Sequence, residues 1–84
     1  MGSARTFLRY HRLVSGLTLD QVSVETKVRP NLLAAIEKED WSKLPAPVFV
    51  RGFVLQVARL LRMDDPEQLA TAYVAKMRIE IGSE

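Results

Sequence analysis

The chain contains no cysteine. That removes disulfides, iron–sulfur clusters and thiolate zinc sites. It contains one histidine, His11, which leaves little for a metal site or a histidine-based catalytic dyad. Glycine and proline number four each, too few for a sandwich of many tight turns. No apolar run approaches the roughly 18 to 20 residues that cross a bilayer. The longest, Val48 to Leu61, is interrupted by Arg51, Gln56 and Arg59. The N-terminus lacks the charged, apolar and cleavage regions of a signal peptide, so the expected compartment is the cytoplasm. Excess charge is also lacking. Twelve cations against ten acids leave +2, little for a nucleic-acid binder.

What is present fits one small domain. The 84 residues are 48% apolar and 26% charged, ordinary globular values. A chain of this length buries about 60–65% of its unfolded surface, enough for one core. The expected domain covers 4–78. Met1-Gly2-Ser3 can be a cloning scar, and 79–84 are expected as a flexible tail, leading in a longer protein to a membrane linker.

The punctuation predicts five helices. The first spans Ala4 to Val14, with Phe7, Leu8, His11 and Val14 on one face and Arg5, Arg9 and Arg12 on another. Gly16 ends it by accepting a left-handed backbone. Thr18-Leu19-Asp20-Gln21 is a capping box that opens a second helix, running to Thr26. Pro30 opens a third, ending near Lys38, with Leu33 and Ile36 turned inward. Pro47 opens a fourth, reaching about Arg62. Asp65 caps a fifth that starts at Pro66 and ends around Arg78. Two short helices joined by Lys27-Val28-Arg29, flanked by others, make a helix-turn-helix plan. The predicted class is therefore an all-α five-helix bundle of lambda-repressor-like type.

The second helix of such a unit reads DNA when its first turn offers donors and acceptors to base edges. Its outward positions here are expected at Arg29, Asn31, Leu32, Ala34, Ala35 and Lys38, and only Arg29 and Asn31 could read a base. Candidate contacts to phosphate or an acidic partner are Arg5, Arg9, Arg12, Lys27, Arg29 and Asn31. The charge is polarised: residues 1–30 carry five cations and two acids, residues 63–84 two cations and five acids. Glu37, Glu39 and Asp40 read as a solvated acidic face.

The fourth helix is apolar nearly all round. At about 100° per residue, Phe49, Phe53, Val57 and Leu60 make one ridge, and Val50, Val54, Ala58 and Leu61 a second. A helix of this kind is central to its bundle or shares a face with a partner. Phenylalanines one turn apart suit interface anchoring, and Gly52 in mid-helix suggests close approach of another backbone or a partner. Trp41 is expected to cover an edge near Leu44, and Tyr73 to pack. No nucleophile–base arrangement, phosphate loop or metal spacing is present, so no enzymatic activity, cofactor or metal is expected.

Leu8 and Arg12, Gly16-Leu17-Thr18-Leu19, Val22, Thr26 to Pro30, Leu33 to Glu37, and Leu44-Pro45-Ala46-Pro47-Val48-Phe49-Val50-Arg51-Gly52-Phe53 together resemble the cytoplasmic helix-turn-helix domain of RodZ-type bacterial proteins, over roughly residues 5–75. The earlier part of the match is common to Xre-like domains, and the later stretch is the specific one. The resemblance implies the cytoplasmic domain of a single-pass membrane protein that binds the actin-like protein MreB and maintains rod shape, the membrane being met only through a segment absent from this chain. It implies a contact through aromatics on the fourth helix, matched by Phe49 and Phe53, with Val57 where a further aromatic often stands. Arg51 and the arginines of the first helix are candidates for acidic residues of that partner. The alternative reading is a DNA-binding regulator of the Xre type.

Overall fold

The computed structural model describes residues 4–82, and side chains from Phe7 to Gly82. Among them the chain is all-helical: α1 (Ala4–Val14), α2 (Leu19–Thr26), α3 (Pro30–Lys38), a single 3₁₀ turn (Trp41–Lys43), α4 (Pro47–Leu60) and α5 (Pro66–Ile81). The five-helix plan with its helix-turn-helix is the fold observed.

The helix starts are set by local chemistry. The Thr18 hydroxyl accepts from the Gln21 amide at 3.1 Å, and the Gln21 side chain returns to the Thr18 amide at 2.8 Å. Pro30, Pro47 and Pro66 each occupy a first-turn position whose N–H would have no helical partner. Asp65 caps α5 by accepting from the Gln68 amide.

Three of the helix ends share one device. Gly16, Glu39 and Arg62 all take a left-handed backbone just past their helices. The next amide then reaches back to close the turn: Leu17 to the Arg12 carbonyl, Asp40 to Ala35, Met63 to Ala58. Lys27 is left-handed after α2, where a glycine would be the unstrained choice. The Arg62 reversal stops α4 at Leu60 rather than Arg62. Helix α5 continues past Arg78 to Ile81, so residues 79–81, expected in a flexible tail, are helical. No proline or glycine intervenes before Gly82 to stop them. Residues 1–3 and 83–84 lie outside the described residues.

The core runs through every helix. Leu8, Val22, Val28, Leu33, Ile36, Val50, Val54, Ala58, Ala70, Tyr73 and Met77 are buried. Helices α4 and α5 form the most extensive pairing, and α1 rests mainly on α3. Trp41 meets Tyr73 edge to face, ring centres 5.7 Å apart, and the Tyr73 hydroxyl donates to the Ile36 carbonyl at 2.6 Å.

Helix α1 departs from expectation. Its buried residues are Leu8 and Arg12, while Phe7 and Val14, expected on the same inward face as Leu8, are exposed. The reason is ionic. The Arg12 guanidinium spans Glu37 of α3, with Nε 2.6 Å from Oε2 and Nη2 3.1 Å from Oε1, and its Nη1 donates to the Leu17 carbonyl at 2.9 Å. That fork holds Arg12 inward beside Leu8 and leaves Phe7, Tyr10, Leu13 and Val14 on the outer side.

Candidate protein-interaction surface

Arg12 is thus not available to an acidic partner, as the sequence had suggested. It is 8% exposed and bound on three sides. Glu37 and Glu39 likewise leave the solvated acidic face assigned to them. Glu37 answers Arg12, and Glu39 pairs with Lys76 of α5 at 3.0 Å with a largely buried side chain. Asp40 keeps a partly exposed pairing with Lys43 at 3.5 Å. Of the expected basic stripe on α1, Arg9 remains exposed, and the Arg5 side chain lies outside the described residues.

On the helix-turn-helix face, Lys27, Arg29 and Asn31 are exposed at the turn and the first turn of α3. Beyond them the helix has little to offer a base. Leu32 packs against the core, and Ala35, expected to face outward, is buried at 4% exposure. Three cations, Arg29, Lys38 and Lys43, and one acid, Asp40, line the groove beside Asn31, so its charge suits phosphate while groups that could read a base stay few.

Helix α4 resolves into two unequal ridges. Val50, Val54, Ala58 and Leu61 are all in the core. The other ridge is graded along its length. Val57, proposed from the sequence as a partner contact, is buried at 6% exposure: at about 100° per residue it stands about 80° round the helix from Phe49, toward the buried Val50 and Val54. Phe53 is half-buried and packed on the core. Phe49 is 60% exposed, with Val48 equally open beside it. Arg51 is half-buried and makes two long hydrogen bonds, 3.4 and 3.3 Å, to the Thr71 hydroxyl of α5. The open apolar surface of α4 is therefore its first two turns: Val48, Phe49 and the outer edge of Phe53. Val48 went unremarked in the sequence because it falls on neither ridge. Its signal was simply its place beside Phe49.

Gly52 lies on this same stretch. A β-carbon placed there meets nothing within 4 Å, so no backbone among the described residues makes the close approach that a mid-helix glycine suggested. Gly52→Ala is expected to raise the unfolding free energy by about 0.5–1 kcal/mol, the ordinary gain of alanine over glycine in a helix. Thermal denaturation checks it, and a lowered melting temperature would mean that the site is crowded.

No cluster of histidine and carboxylate side chains able to hold a metal occurs among the described residues. No helix among them is long and apolar enough to cross a membrane.

Comparison with known proteins gives the family of the fold. A family model described as a helix-turn-helix domain matches residues 7–69. The cytoskeleton protein RodZ of Streptococcus pneumoniae (strain ATCC BAA-255 / R6) is 34% identical over 58 residues, which are 69% of this chain and 21% of that protein. The chain thus spans about a fifth of the length of that curated relative. No solved structure matches the chain. With its capped helix-turn-helix, its α4 opened by Pro47 and this relative, the chain belongs to the RodZ-like helix-turn-helix family.

Proposed function

We propose that this domain is a cytoplasmic adaptor of a RodZ-like cell-shape protein, binding an actin-like filament, MreB, through the first two turns of α4. It is not an enzyme in this reading. The observation that carries it is Phe49. A large aromatic stands 60% exposed on a helix whose opposite ridge is fully buried, so its side chain contributes nothing to the core that a smaller residue would lose. Aromatic anchors of this kind, ringed by smaller apolar groups such as Val48, carry most of the energy of protein interfaces. The curated relative, named a cytoskeleton protein, supports the same direction.

Co-sedimentation with MreB filaments tests it. Wild type is expected to pellet, and Phe49→Ala to weaken binding by roughly 30-fold or more, the effect of losing an interface anchor, with an unchanged melting temperature. Full binding by Phe49→Ala would remove the site, and wild type left in the supernatant would remove the partner. The second reading, an Xre-type DNA-binding regulator, draws on the exposed Arg29 and Asn31 at the start of α3. It takes over if the domain prefers one DNA sequence by orders of magnitude at physiological salt, since contacts to phosphate alone give a salt slope without preference.

A further inference from the structure

Helix α1 is turned inside out. Its two buried residues, Leu8 and Arg12, lie one turn apart on one side. The opposite side carries Phe7, Tyr10, Leu13 and Val14, between 46% and 67% exposed. The rings are pre-assembled: Phe7 meets His11 edge to face at 4.4 Å, and Tyr10 meets His11 edge to face at 5.6 Å. The His11 ring is held in place by a 3.1 Å contact of Nδ1 with the Phe7 carbonyl oxygen. An ordered, outward apolar stripe on a helix at the edge of the fold is a surface that lacks its neighbour.

We propose that this stripe rests on an anionic phospholipid surface, with α1 lying in the plane of the headgroups. Three observations choose lipid over protein. The first is charge. Helix α1 has three arginines and a histidine but no acid, and Arg9, exposed at the flank of the stripe, has no ion pair among the described residues. Residues 1–30 carry five cations against two acids, so the part of the chain that holds α1 is its basic part and is drawn to a negative surface. The second is residue type: phenylalanine and tyrosine at the headgroup level, aliphatic groups below and arginine at the margin are the make-up of interfacial helices. The third is size. Four side chains exposed to this degree offer on the order of 400 Å², about half of what each partner buries in a stable protein–protein interface. A bilayer sets no such minimum, because it deforms around each side chain. The stripe is on a different helix from Phe49, so this inference stands apart from the filament reading.

Vesicle flotation tests it. The domain is expected to float with vesicles of equal parts phosphatidylglycerol and phosphatidylcholine, and to stay behind with phosphatidylcholine alone. Phe7→Ser combined with Val14→Ser is expected to lower the bound fraction about tenfold, through lost apolar burial. Arg9→Glu, a change at an exposed position, is expected to lower it several-fold and so provides a second variant. Phe49→Ala is expected to float as wild type does, which separates this result from the filament assay. No flotation, equal flotation with neutral vesicles, undiminished flotation of both stripe variants, or loss of flotation in Phe49→Ala would each overturn the proposal. So would a stripe-dependent dimer in analytical ultracentrifugation that vesicles do not compete away.

Discussion

Arg12→Ala is expected to lower the unfolding free energy by about 3–5 kcal/mol, the range seen when one member of a buried ion pair is removed. The side chains of Arg12 and Glu37 are 10% and 11% exposed, so solvent screens the pair little. Removing the guanidinium strands a carboxylate and also frees the Leu17 carbonyl that Nη1 engages. Against a total stability of roughly 4–13 kcal/mol for a chain this size, such a loss leaves a partly unfolded domain at physiological temperature. Arg12→Lys is expected to recover only part of it, because an ammonium cannot span both carboxylate oxygens and a carbonyl at once. Urea denaturation of Arg12→Ala, Glu37→Ala and the double variant measures the coupling. A cost below about 1 kcal/mol for Arg12→Ala would class the bridge with exposed pairs and remove the account of why α1 turns its apolar side out.

Tyr73→Ala is expected to cost about 3–5 kcal/mol, as for other large aromatic truncations in a core. The ring is 1% exposed and braced edge-on by Trp41. Its hydroxyl donates to the Ile36 carbonyl near the end of α3, which also accepts the Glu39 amide at 3.2 Å. Tyr73→Phe isolates the hydroxyl bond and is expected to cost about 0.5–1.5 kcal/mol, the ordinary net worth of one hydrogen bond, because the carbonyl keeps its backbone donor. A pH signature accompanies it. Burial, with the nearby Glu39 carboxylate adding to it, holds the Tyr73 phenol protonated to well above its ordinary pKa of about 10. An unfolded tyrosine releases its proton first as the solution becomes alkaline. The Tyr73 contribution is therefore complete below pH about 10 and declines as pH rises beyond it. Denaturation midpoints measured from neutral to alkaline pH are expected to fall for wild type, and to fall less steeply for Tyr73→Phe. Parallel slopes would mean that Tyr73 ionises as freely in the fold as outside it.

The parts of this domain that were legible from sequence are those settled within four or five residues. The Thr18–Gln21 capping box, the prolines at 30, 47 and 66 and the left-handed Gly16 are local, and the structure has each in its expected place. The ends at Glu39 and Arg62 use the same left-handed closure without a glycine, so no residue type marked them. Helical periodicity showed that α1 has two unlike sides, but the inward side is decided by Glu37, twenty-five positions away. The two ridges of α4 were visible for the same periodic reason. The outer ridge drifts round the helix along its length: at about 100° per residue Val57 stands about 80° from Phe49, toward the buried Val50 and Val54. Hence Phe49 and Val57, on one ridge, differ tenfold in exposure.

The Arg12 fork has a geometric consequence for whatever the domain connects. Apolar contacts let a helix roll or slide by some degrees at small cost, whereas a planar guanidinium meeting a carboxylate and a carbonyl together fixes direction as well as distance. The fork therefore fixes the roll of α1 against α3, and with it the direction in which Phe7, Tyr10, Leu13 and Val14 face relative to the helix-turn-helix. A body seated on that stripe would meet the helix-turn-helix at a set angle.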